Sequence, residues 1–174
     1  MKKDTIHFII TGGTIDSYYN GVKDTVETSP HSAIPAFIKS LKLHEDVDFT
    51  EVCMKDSRSL NTTDMKKISL VIQKSPHKKF IITHGTYTMP DTAKFIKENT
   101  DIKDRMIIFT GSMIPLMGFA PSDAPFNLGY AIAKVQELPP GIYVCMNGRT
   151  FSPEEVVKLL YEGRFISVFG ESKK

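Results

Sequence analysis

Thr5-Ile6-His7-Phe8-Ile9-Ile10, running directly into Thr11-Gly12-Gly13-Thr14-Ile15-Asp16-Ser17-Tyr18-Tyr19, is the stretch that decides the fold. Its first half is a near-continuous apolar run without the alternation of a half-solvated strand, which predicts a strand covered on both faces. Its second half stops that strand abruptly. Two adjacent glycines let the backbone bend tightly and turn its N–H groups outward. The flanking threonines are poor turn residues, so their hydroxyls are either merely solvated or present for chemistry.

The same arrangement recurs along the chain. Strands are predicted near Asp48–Met54, over Lys79-Phe80-Ile81-Ile82-Thr83, over Met106-Ile107-Ile108-Phe109 and over Gly141–Met146. Helices are predicted between them. Ile34, Phe37, Ile38 and Leu41 stand at i, i+3, i+4 and i+7, marking a helix near 31–42. Asn61 or Thr62 caps a second helix, whose stripe of Met65, Ile68, Val71 and Ile72 runs to about Ser75. Pro90 opens a third near 90–99, and a fourth spans about Ala124 to Gln136. Ser152-Pro153-Glu154-Glu155 has the spacing of a capping box, predicting a last helix that carries Val156, Val157, Lys158, Leu159 and Leu160. Strands alternating with helices predict an α/β fold: a mainly parallel sheet flanked by helices on both faces, flavodoxin-like or Rossmann-like, as a single domain over 1–174.

In such sheets ligands bind beyond the carboxyl ends of the strands. The segments found there are rich in small polar residues. Thr11-Gly12-Gly13-Thr14 follows the first strand and Asp56-Ser57 the second. Thr83-His84-Gly85-Thr86-Tyr87-Thr88-Met89-Pro90 follows the third. Thr110-Gly111-Ser112-Met113-Ile114-Pro115 follows the fourth and leads to Ser122-Asp123, whose plain reading is a helix cap. Neither a dinucleotide fingerprint nor a phosphate-loop lysine accompanies these glycines. A pocket of hydroxyls and N–H groups suits acyl transfer, in which a hydroxyl attacks a carbonyl and oriented N–H groups hold the oxyanion. The hydroxyl needs a base. Lys158 can serve if burial depresses its pKa, although a lone lysine on an amphipathic helix is more often a solvated charge.

Composition narrows the partners. The 22 basic and 20 acidic residues leave a net charge of +2, and the densest basic run, Lys78-Lys79 with Lys74 nearby, is too short for a nucleic-acid footprint. The apolar run after Met1-Lys2-Lys3-Asp4 is too brief for a signal-peptide core or a membrane span. Cys53 and Cys145 make neither a disulfide framework nor a metal cluster, so a reducing cytoplasm is the expectation.

Thr11-Gly12-Gly13-Thr14-Ile15, His84-Gly85-Thr86-Tyr87-Thr88-Met89 and Thr110-Gly111-Ser112-Met113 with Ser122-Asp123-Ala124-Pro125-Phe126-Asn127-Leu128 together resemble the signatures of the bacterial-type L-asparaginase family, in the family's order. The resemblance covers nearly the whole chain and is greatest to the short, single-domain form. It implies hydrolysis of the side-chain amide of asparagine, or of glutamine or an N-blocked analogue, to the acid and ammonia. By that resemblance Thr14 is the acylated nucleophile and Tyr19, or alternatively Tyr18, the assisting phenol. Thr86 and Lys158 form the second hydroxyl and its base. Asp56-Ser57 is by the same resemblance the segment whose serine holds the substrate's α-carboxylate. N–H groups around Gly13, Thr14, Gly85 and Thr86 supply the oxyanion hole, with Ser112 also near the substrate. The family uses neither metal nor organic cofactor, and its members are usually homo-oligomers acting on a small-molecule amide.

Two positions depart from the family pattern. Tyr87 stands where aspartate is usual, and a phenol with an ordinary pKa of about 10 forms no ion pair with a substrate ammonium at pH 7. The implied consequence is weak binding of free asparagine, or a substrate whose amine is blocked or absent, unless Asp16, Asp56 or Asp123 replaces the charge. Ile114 stands where arginine is common. The competing expectation is a catalytically weak or silent amide-binding domain, acting as a sensor or assembly subunit.

Overall fold

The computed structural model describes residues 5–170. Met1-Lys2-Lys3-Asp4, part of the signal-peptide reading, lies outside them, as do residues 171–174. The strands are β1 (Ile6–Gly12), β2 (Ser17–Asn20), β3 (Thr25–Thr28), β4 (Val47–Lys55), β5 (Lys79–Thr83), β6 (Met106–Thr110), β7 (Gly141–Met146), β8 (Arg149–Phe151), β9 (Val156–Leu159) and β10 (Arg164–Ser167). The helices are α1 (Ile34–Ser40), α2 (Thr62–Lys74), α3 (Met89–Asn99) and α4 (Ala124–Glu137).

One six-stranded sheet has the order β4-β1-β5-β6-β7-β8, parallel throughout except for β8, which turns back on β7. Every residue of β1 is buried, as its continuous apolar run requires. Side chains alternate between two cores. Ile6, Phe8 and Ile10 face α1 and α4, meeting Ile34, Ile38, Leu128 and Ala131. Ile9, Phe80 and Ile82 face α2 and α3, meeting Ile68, Ile72, Ala93 and Ile96. The sheet is therefore mainly parallel with helices on both faces, as the sequence pattern predicts.

Local signals set the helix ends. Asn61 accepts the N–H of Asp64, whose carboxylate returns to the N–H of Asn61, closing a capping box. At α4 the cap differs from the plain reading of Ser122-Asp123. Ser122 Oγ accepts the N–H of Ala124, while Asp123 accepts the N–H groups of Met113 and Ile114 and the Asn127 side chain. Asp123 thus ties the loop after β6 to the start of α4.

The last predicted helix is absent. Glu155 does reach back to the N–H of Ser152, as a capping box demands, but no helix follows. Val156–Leu159 is a strand, paired antiparallel with Arg164–Ser167 so that Lys158 lies opposite Phe165. Two β-branched valines in succession favour this, and Gly163, at φ 61°, turns the chain back. Val156 and Phe165 join the core on the α2–α3 side. Asn147 Oδ1 accepts the N–H of Phe165, and Glu155 accepts from Ser167 Oγ, fixing the hairpin beside the sheet. A second hairpin, β2 with β3, also stands where no strands are predicted.

Candidate active site

Sheet order builds the site. β4, β1 and β5 are adjacent, so the segments following them meet at one edge. From β1 the chain goes first to one neighbour, β4, and then crosses to the other, β5; such a switch point opens a crevice.

Glycines allow the three segments to nest. Gly12 and Gly13 have φ of 85° and 84°, in the left-handed region that favours glycine. A Cβ on Gly13 would lie 2.4 Å from Gly85 Cα, and one on Gly85 would lie 2.7 Å from Ser57 Cβ. The Gly13 N–H donates to the Lys55 carbonyl at 2.8 Å, and Thr88 Oγ1 donates to the Ser57 carbonyl at 2.9 Å. Immediately after this packing, Thr14 begins a 3-10 turn, Thr14–Asp16.

These segments and β9 enclose a cavity of about 230 Å³. Gly13, Thr14, Ser57, Gly85 and Thr86 form its polar floor, and Asp56, Arg58, Tyr87 and Lys158 stand around it. Lys158 Nζ donates to Thr86 Oγ1 at 2.7 Å. Partial burial and then the Arg58 guanidinium push the lysine below its ordinary pKa. A lysine so placed gives up its proton more readily than a solvated one. The reading of Lys158 as a solvated charge on a helix is thereby replaced: it is a strand residue turned into the cavity.

The charges around the cavity are partly spent. Asp56 accepts from Arg58 Nε at 3.0 Å and Nη2 at 2.9 Å, and that side-chain pairing holds its carboxyl below the usual range. The Arg58 guanidinium also lies over the Tyr87 ring, 5.7 Å from its centre. Asp56 is the one carboxylate among the lining residues, and it already has a cation. Asp16 and Asp123, the other acids considered for the missing charge, are committed elsewhere. Asp16 is buried and accepts from Ser32 Oγ and the Ala33 N–H, ordering the start of α1.

Two expected site residues lie apart from this cavity. Tyr19 is on the β2–β3 hairpin, about half exposed, with its hydroxyl donating to Asp24. Tyr18 points to Glu27 on the same hairpin. Ser112 is buried and donates to the Ile114 carbonyl at 2.5 Å. Arg58 is a site residue that sequence reasoning misses, its position directly after Asp56-Ser57 being the available signal. His84 is wholly buried beneath the floor. Its Nδ1 donates to the Gly85 carbonyl at 2.8 Å, and burial pulls its pKa down to about 4, so it is neutral.

Metal-ligand atom types gather elsewhere. At the opposite end of the sheet, His7, Asp48 and His77 bring one ligand atom each within 4.8 Å of the others. The His7 ring nitrogens are engaged by Ser75 and Thr50, which gives this cluster a hydrogen-bonding role in joining β1, β4 and the end of α2. Both cysteines are free thiols, and burial pushes Cys145 up to about 11. Among the described residues no helix is long and apolar enough to cross a membrane.

Residues 5–164 match the family model described as asparaginase, N-terminal. The chain belongs to the asparaginase family. The glutaminase-asparaginase of Acinetobacter glutaminasificans is 28% identical over 97% of this chain and 54% of its own length. L-asparaginase 2 of Escherichia coli K12 is 31% identical over 88% of this chain and 46% of its own length. The chain thus spans about half the length of these asparaginase relatives. The solved structure of the probable cytoplasmic L-asparaginase from Campylobacter jejuni superposes with a TM-score of 0.78 at 27% identity, covering 95% of this chain and 53% of that one. The thermostable L-asparaginase from Thermococcus kodakarensis has the same fold, with a TM-score of 0.80 at 24% identity over 96% and 52% of the two chains.

Proposed function

We propose that this protein holds the catalytic machinery of an amidohydrolase acting on the carboxamide of an asparagine-type substrate. Thr14 Oγ1 attacks the carboxamide carbon, the C–N bond breaks, and ammonia leaves with the proton from the threonine. Water then cleaves the Thr14 ester to release the acid. The backbone N–H groups of the Gly13–Thr14 and Gly85–Thr86 turns serve as oxyanion donors, each worth about 2.7–4 kcal/mol of barrier. Thr86 and Lys158 manage the proton. The observation that carries this reading is the 2.7 Å contact of Lys158 with Thr86 at the same cavity as Thr14.

Ammonia release from L-asparagine and from N-acetyl-L-asparagine tests it. Wild type should release ammonia from at least one, and Thr14→Ala should lose that activity; equal rates in both proteins would remove Thr14 from the mechanism. A second reading, an amide-binding domain without turnover, draws on Tyr87 and on the pairing of Asp56 with Arg58, which together leave no unspent carboxylate for an ammonium among the lining residues. Calorimetric binding of an amide with no ammonia released would favour it. The proposal also includes a cytoplasmic protein that works as a homo-oligomer, without metal or organic cofactor and without nucleic-acid or membrane partners.

A further inference from the structure

A second recess of about 310 Å³ adjoins the cavity of Thr14, and Tyr87 and Lys158 line both. Its other walls mix apolar and charged residues: Val156 and Val157 of β9, Leu160 just beyond and Pro90 of α3 form an apolar strip, and Asp91 and Lys94 of α3 complete the lining. Val156 is anchored in the core, whereas Leu160 is 64% exposed and Asp91 is also exposed, so the recess has a firm apolar base and an open, mixed rim. Its size lies at the lower end of the roughly 300–1,000 Å³ typical of small-molecule sites.

We infer that the substrate is an asparagine-type amide whose α-nitrogen is acylated, its apolar acyl tail running past Tyr87 into this second recess. The inference rests on the amide-hydrolysis reading above and adds the chemical class of the substrate. Charge leads to it first. Within the cavity of Thr14 a free ammonium would meet Arg58 and Lys158 and a carboxylate already paired to Arg58, which disfavours it there; the Asp91 carboxylate lies in the second recess, which Lys94 also lines. An acylated nitrogen is neutral and needs no counter-ion, while the remaining α-carboxylate meets a cation-rich rim. Adjacency leads to it second: the two cavities share a wall at Tyr87, the residue beside which the blocked amine would lie. The reaction is unchanged. Only the C–N bond of the carboxamide breaks, the acyl–nitrogen bond stays intact, and the products are ammonia and an N-acyl-aspartate.

The test is a series of L-asparagine and its N-acetyl, N-butanoyl and N-hexanoyl derivatives, with kcat/KM read from ammonia release. The acylated substrates should exceed L-asparagine by about tenfold or more. The value should rise with acyl length, toward the roughly fourfold per methylene of full burial. Leu160→Asp should flatten that rise. L-asparagine equal to or better than its acyl derivatives, or no dependence on acyl length, overturns the inference. Calorimetry with the corresponding N-acyl-aspartates and L-aspartate reads the same preference without turnover. Acyl-selective binding with no ammonia release would sink hydrolysis and keep the selectivity; ammonia release with preference for free asparagine would do the reverse.

Discussion

Lys158 Nζ stands 2.7 Å from Thr86 Oγ1, joining two residues 72 positions apart in the sequence across the mouth of the sheet. Lys158 reaches this place from a hairpin held outside the main sheet, and Thr86 from the loop after β5. The pairing joins a hydroxyl to a base in a cavity that Thr14 also lines.

Replacing the lysine with a side chain of similar length but no charge isolates the proton-transfer role. Lys158→Met should lower turnover by about 10²- to 10⁴-fold, the usual worth of a positioned acid or base. Circular dichroism should show the fold retained. In wild type the rate should rise with pH through a pKa below the ordinary lysine value, since the active form is the neutral amine and burial favours it. A pH–rate profile with no such limb would remove Lys158 from the chemistry.

Tyr87→Asp supplies an acid beside the cavity without touching its floor. A charged hydrogen bond contributes about 1.5–3 kcal/mol, so KM for L-asparagine should fall roughly 10- to 150-fold. Steady-state kinetics on L-asparagine for the two proteins measures this. An unchanged KM would mean that position 87 does not meet the amine.

Gly13→Ala tests the nesting of the three loops. The new Cβ would lie 2.4 Å from Gly85 Cα at a φ of 84°. Strain at such a backbone position costs on the order of 1–3 kcal/mol, before the clash is relieved. Thermal unfolding should show Tm lowered by several degrees, about 2–4 °C for each kcal/mol in a protein of this size. Activity should fall with it, because Thr14 is the next residue.

His84 makes stability depend on pH. Its pKa falls from 6.5 unfolded to about 4 folded through burial, so the folded protein holds it neutral while the unfolded polypeptide protonates. Its stability contribution is complete above pH 6.5 and is lost as pH falls toward 4, amounting to about 3 kcal/mol over the window. Urea unfolding at pH 7 and pH 5 should show a larger loss for wild type than for His84→Gln. Equal losses would contradict the buried neutral histidine.

Much of this architecture is legible in the sequence where a segment is buried on both sides. Lys79–Thr83 and Gly141–Met146 form strands with their predicted bounds because their apolar runs have no competing pattern. The β2–β3 hairpin escapes such reading because Tyr18, Tyr19 and Val26 are exposed and bury no stripe; its Asn20-Gly21 turn is the local clue. The expected helix at 152–160 fails for a different reason. Ser152 and Glu155 do form half of a capping box, but tertiary ties to Asn147 and the buried Phe165 decide for a strand. The cavity itself is legible as polar segments behind strands. The engagement of Arg58 with both Asp56 and Tyr87 is not, since it depends on side-chain geometry across a turn.

Rapid-quench mass spectrometry of the protein during turnover of L-asparagine and N-acetyl-L-asparagine tests the central claim most directly. An ester adduct of the released acid, mapped by peptide digestion to Thr14, is the predicted result. An adduct on Thr86 or elsewhere, or ammonia released with no adduct at any quench time and none accumulating in Lys158→Met, would contradict it.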